Sequence, residues 1–111
     1  MTHVTIFRSC SGDITGFEST GHADYAEIGT DIVCAAISAI LQTAMLGIRD
    51  VLCLDIGLSM DDGEMTLILD RGVDSAFQAK ANIVFETMLA GLKSIQAAYS
   101  EYLTILERRC R

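Results

Sequence analysis

The sequence predicts an α+β fold, a two-layer sandwich in which a mostly antiparallel sheet carries two helices on one face. Three observations lead there. Short segments with alternating apolar and polar residues come in pairs, each pair joined by a tight Gly/Asp turn. Two longer segments instead repeat their apolar residues every three or four positions. The two kinds alternate along the chain in the order β-β-α-β-β-α, closed by a final β, and elements with one apolar face stack as two layers. The 111 residues amount to one domain spanning 1–111, and with 50% hydrophobic and 21% charged residues they can bury a core, which excludes intrinsic disorder.

The first hairpin pairs His3-Val4-Thr5-Ile6-Phe7 with Ile14-Thr15-Gly16-Phe17-Glu18 through the turn Ser11-Gly12-Asp13. A polar loop, Ser19 to Gly29, follows. Thr30 offers an N-cap hydroxyl for a helix from about Asp31 to about Arg49. The chain has no proline, so nothing forbids long helices. Leu52, Leu54, Ile56, Leu58 and Met60 then alternate with Cys53, Asp55, Gly57 and Ser59, predicting a strand with one buried face. Asp61-Asp62-Gly63 turns the chain, and Met65, Leu67 and Leu69 resume the alternation. Asp74 caps a second helix whose stripe reads Phe77, Ala81, Val84, Met88, Leu92 and Ile95, ending near Tyr99. From Tyr102 to Glu107 the pattern fits a helical continuation, while Leu103 and Ile105 also fit a last short strand.

The uncharged run Ile32 to Ile48 stands at the lower edge of bilayer-spanning length but contains Ser38, Gln42 and Thr43. It reads as a buried core or interface helix rather than a membrane span. Being apolar nearly all round, it predicts a homodimer. With 8 basic and 15 acidic residues the net charge is −7, which disfavours nucleic acid as a partner and suits a basic one. Cys10, Cys34, Cys53 and Cys110 form no CxxC and no Cys/His cluster, so no metal site is expected. The opening residues carry no signal-peptide pattern, so the protein is expected in the cytoplasm with all four thiols reduced.

The chain has two histidines. His3 reads as a surface residue near a terminus. His22 lies in the loop Ser19-Thr20-Gly21-His22-Ala23-Asp24 just ahead of the first helix, and loops on a rigid scaffold often carry function. On that helix Asp31, Cys34 and Ser38 share an arc of about 60° at 100° per residue. Cys34 is expected in the first turn, where the macrodipole and free amides favour a negative charge. A thiol so placed, with a histidine near, is what a cysteine nucleophile requires. Packing alone accounts for the same residues differently: Cys34 as a small hydrophobe, Ser38 bonded back to the helix, Asp31 satisfying first-turn amides. A carboxylate beside the thiol would oppose its ionisation, so Asp31 is cast as a cap or as the group orienting His22. Cys10, Cys53 and Cys110 lack an electropositive setting and read as inert.

Gly21-His22-Ala23, then Gly29, then Asp31-Ile32-Val33-Cys34-Ala35-Ala36 with Ser38, strongly resembles the ribosomal-processing cysteine protease family, Prp. The likeness extends over the chain through both hairpins to Leu92-Lys93-Ser94-Ile95 and Tyr99; the tail Arg108-Arg109-Cys110-Arg111 departs from it. The resemblance implies a homodimeric, cofactor-free bacterial enzyme. Such enzymes remove the N-terminal extension of large-subunit ribosomal protein number twenty-seven, cutting after an aromatic residue and ahead of a basic segment. It implies Cys34 as nucleophile, His22 as general acid/base, Asp31 and Ser38 in supporting positions, and Gly21 in a mobile flap. Backbone amides around Cys34 are then expected to hold the oxyanion. Two other functions fit the composition. One is a non-catalytic acidic dimer that binds a basic ribosomal protein during ribosome assembly. The other is a redox sensor, which needs a resolving cysteine beside Cys34.

Overall fold

The structure, a computed structural model, describes residues 1–21 and 28–110, the side chains of 28–31 excepted. Its elements are β1 (Thr2–Arg8), β2 (Ile14–Thr20), α1 (Ile28–Leu46, continued by a π-helical turn, Gly47–Val51), β3 (Ile56–Asp61), β4 (Glu64–Leu69), α2 (Ser75–Ala98) and β5 (Leu103–Arg109). The strands form one sheet in the order β3-β4-β2-β1-β5. Three pairs are antiparallel, and β1 with β5 is parallel. The α+β order and the final strand are as expected.

Strand order explains why the helices share a face. From these pairings, α1 connects β2 to β3, which run parallel to each other across β4. Likewise α2 connects β4 to β5, parallel strands at a distance. Such crossovers are right-handed. Because β2 and β4 are antiparallel and their crossovers move toward opposite edges, both reversals cancel and the two helices land on the same face. Val4, Ile6, Phe17, Leu67 and Leu69 from the sheet meet Val33, Ile37 and Leu41 of α1, and Ala81, Phe85, Met88 and Leu92 of α2, in one buried cluster. Each large apolar side chain so buried contributes roughly 1.5–3 kcal/mol.

Local signals place most boundaries. The Asp74 carboxylate accepts from the Phe77 N–H at 2.9 Å, the expected cap of α2. Several details differ from the sequence expectation. Helix α1 starts at Ile28, so Thr30 lies inside it rather than capping it. The buried stripe of α2 is centred on Phe85 and Leu89, while Phe77 at its start is exposed. Residues 52–55 lie outside the strand that begins at Ile56, and Cys53 has φ 56 in the connection. Leu58 and Met60 are exposed because β3 is an edge strand, bonded on one side only. The span Ile32–Val51 is long and apolar enough to cross a membrane by length and composition, but it packs Val33, Ile37, Leu41 and Ile48 into the core.

Arg8, mostly buried, ties three segments together at the far end of β1. Its guanidinium donates to Glu86 on α2 at 2.8 and 3.1 Å, to Glu107 on β5 at 2.7 Å, and to the Gly12 carbonyl at 2.8 Å. Beyond it the chain departs from the expectation of four reduced thiols: Cys10 and Cys110 form a disulfide. The parallel register, Arg8 opposite Arg109, carries residues separated by 100 positions into contact, a pairing invisible to local sequence patterns. Cys34 and Cys53 are free.

Two outcomes follow. Closing so long a loop restricts the unfolded chain, so without reductant Cys110→Ser should lower the unfolding free energy by about 2–4 kcal/mol. With reductant the variant and the parent should match in urea denaturation. Separately, hydrogen bonds from Arg8 hold the Glu86 carboxyl below its ordinary value of 4.5. A lowered folded value gives stability that is complete above pH 4.5 and disappears as pH falls through the folded value. Glu86→Gln should therefore flatten the acid limb of a low-salt stability profile, with the effect kept small by the 42% exposure of the Glu86 side chain.

Candidate active site

At the opposite end of β1 the sheet presents three segments to the first half of α1. These are the start of β1 at Thr2, the end of β2 at Ser19 and Gly21, and the β3–β4 hairpin from Met60 to Met65. Between them and the helix lies a cavity of about 240 Å³, lined by Cys34 and Ser38. The helical period explains the lining. Val33, Ile37 and Leu41 turn into the core, while Cys34, Ser38 and Gln42, spaced by four, form a polar seam along the edge of that stripe.

Cys34 is half-buried, and its Sγ lies 4.0 Å from the Thr2 Oγ1, where either atom can donate. Thr2 and Ser19 are buried, at 4% and 8% exposure. Gly21 is exposed at the cavity wall with φ 86, and a Cβ there would stand 2.5 Å from the Met1 carbonyl oxygen. Glycine is needed at that position for both conformation and space. Ser38 is exposed on the cavity side of α1.

Cys34 and Ser38 thus meet at one cavity with Gly21. His22 lies outside the described residues, as does the side chain of Asp31. One expectation is corrected. With α1 starting at Ile28, Cys34 falls in the second turn, not the first. Helical geometry points its N–H at the carbonyl four residues earlier, so the free amides lie ahead of it rather than around it. Sequence reasoning also missed Thr2, Ser19, Gln42 and the β3–β4 hairpin as parts of the cavity wall. Gln42 was within reach by extending the seam one more turn. The others come from strands whose neighbours only the sheet order reveals. No described cysteine shares the cavity with Cys34, because Cys53 lines a separate one with Leu54 and Asp55. Among the described residues no cluster of His, Cys, Asp and Glu could hold a metal ion.

An α+β sandwich with a half-buried cysteine at a cavity edge is an arrangement suited to thiol chemistry on an extended ligand. The sequence profile described as Cysteine protease Prp matches residues 1–104, and the chain belongs to that family. The ribosomal processing cysteine protease Prp of Bacillus subtilis is 33% identical over 109 residues, covering 95% of this chain and 96% of the relative. The crystal structure of the ribosomal processing protease Prp from S. aureus with a substrate peptide superposes with a TM-score of 0.84 at 29% identity, covering 97% of this chain and 100% of that one. Its complex with a covalently linked product peptide gives 0.83 at 28% identity, with the same coverage.

Gly21→Ala should lower stability by about 1–3 kcal/mol, as expected of a side chain forced into left-handed backbone against a carbonyl. It should also change the rate at which iodoacetamide modifies Cys34. Unfolding and alkylation indistinguishable from the parent would show that the position does not need glycine.

Proposed function

We propose that this chain is a homodimeric, cofactor-free cysteine endopeptidase of the bacterial cytoplasm, one protease domain over 1–111. Its substrate is the N-terminal extension of large-subunit ribosomal protein number twenty-seven, which it removes by cutting after an aromatic residue. The observation that carries this proposal is the Cys34 thiol at the edge of a cavity, in a chain whose S. aureus relative has been crystallised with a covalently linked product peptide. Cys34 is the nucleophile and His22 the general acid/base. Gly21, which precedes His22, leaves β2 at the cavity wall, and that supports the pairing.

The chemistry is ordinary acyl transfer. His22 takes the Cys34 proton, the thiolate attacks the scissile carbonyl, and His22 protonates the leaving amine. Water then hydrolyses the thioester. The Thr2 hydroxyl, near Sγ, is placed to donate to the thiolate. Ser38 contributes a hydroxyl to the same cavity, and Asp31 serves as a helix cap or orients His22.

The homodimer is supported by the outer side of the helix pair. Ile32 and Ile83 are 61% and 69% exposed, and an open groove of about 520 Å³ lined by Ile40, Gly47, Val84 and Gly91 runs along the seam where the two helices pack. A second copy covers such a face more economically than water does.

Cys34→Ala should abolish cleavage of an extension peptide, followed by mass spectrometry, while circular dichroism stays unchanged, since alanine is a good helix residue. His22→Ala should remove most of the rate together with the histidine limb of the pH profile. Near-normal hydrolysis by folded Cys34→Ala protein would sink the protease assignment.

A further inference from the structure

Positive charge gathers around the Cys10–Cys110 disulfide, which the proposed hydrolysis does not use. Cys10 is exposed in the turn that joins β1 to β2. There the Ser9 N–H donates to the Asp13 carbonyl at 2.8 Å and the Gly12 N–H to the Ser9 carbonyl at 2.9 Å. Cys110, also exposed, follows the last residue of β5. Arg8 donates to the Gly12 carbonyl of this turn, and a guanidinium nitrogen of Arg109 lies 3.8 Å from the place a Gly12 Cβ would take. Arg8 is matched by Glu86 and Glu107. Arg108 and Arg109, both exposed, have no ion-pair partner among the described residues. Asp13 is the one carboxylate within the turn. The disulfide therefore has a cationic setting, supplied to Cys10 by the pairing of β5 with β1. Cys53 is the opposite case, a free, exposed thiol at a cavity lined by Asp55, Asp70 and Asp74.

The same end of the chain stands apart in sequence. Arg108, Arg109 and Cys110 lie outside the match over residues 1–104 that defines the protease family. Exposed disulfides are the ones open to thiolate attack, and in a reducing compartment a disulfide is usually transient or redox-sensing. Neighbouring cations help twice. They attract an attacking thiolate that carries further negative charge, and they stabilise the cysteine thiolate that leaves.

We infer that Cys10–Cys110 is an exchange site for an anionic low-molecular-weight thiol, drawn in by Arg108 and Arg109. The incoming thiolate attacks one cysteine sulfur and forms a new S–S bond with it. The Cys10–Cys110 bond breaks, and its electron pair leaves on the other cysteine as a thiolate, which takes a proton from water. A second small thiolate attacks the small molecule's sulfur in this mixed disulfide. It releases the small thiol's own disulfide and the second cysteine thiolate, so two small thiols are oxidised as the protein disulfide is reduced. The covalent link between the β1–β2 turn and the end of β5 thus opens and closes with the thiol pool, leaving β5 held by its parallel ladder with β1. None of this depends on peptide hydrolysis.

The test uses the full chain purified without reductant, with glutathione and its diethyl ester as probes. Both carry the same thiol, but only glutathione keeps its carboxylates. After an acid quench and alkylation, peptide mass spectrometry gives the rate at which each probe forms a mixed disulfide on Cys10 or Cys110. Glutathione should react about fivefold faster than the ester at low salt, and high salt should erase most of the difference. Arg108→Gln combined with Arg109→Gln should bring the ratio to near one. Arg109→Glu, as an independent variant, should turn it in favour of the ester. The inference is overturned by equal rates for the two probes, or by a ratio unchanged in the folded double variant. Adducts confined to Cys34 and Cys53, or Cys10 and Cys110 recovered only as free thiols, overturn it as well.

Discussion

The two crossovers leave antiparallel strands and move toward opposite edges of the sheet, and most of the structure follows from that constraint. Both helices are thereby placed on one face, where they share a single buried cluster with β1, β2 and β4. The same placement lays the first half of α1 across the end of the sheet where β1 begins, β2 ends and the β3–β4 hairpin turns. Cys34 therefore faces segments that are far away in sequence: Thr2, Ser19 and the β3–β4 hairpin.

One helix serves two purposes because its period separates them. Val33, Ile37 and Leu41 anchor α1 in the core, and the residue following each of them faces the cavity. The thiol is consequently held by a packed helix rather than by a loop, which limits how far it can wander from its partners. The site departs from core packing rules at Thr2 and Ser19, buried polar residues at a position in the sheet where apolar ones would pack better. Such departures are what functional sites require.

The Arg8 cluster and the disulfide secure the other end of β1, about 20 Å away at strand rise. They fasten β5 and α2 to β1 without touching the cavity. Firm tethering at one end and a polar, partly open cavity at the other divide the sheet between stability and chemistry.

Much of this was legible in local patterns. The period of two announced both hairpins, the period near three and a half announced both helices, and Asp74 marked the start of α2. The spacing of Cys34 and Ser38 put them on one side of a helix, and the sequence placed the chain in its family through the blocks around His22 and Cys34. Whatever depended on strand order was not legible. The exposure of Leu58 and Met60 follows from β3 being an edge, the disulfide from β5 lying parallel to β1, and the hairpin wall of the cavity from β4 lying beside β2. Alternation tells a strand which of its faces is buried, but carries no record of its neighbours. Those are chosen by the packing of the whole chain, and so the company Cys34 keeps was decided by the tertiary structure alone.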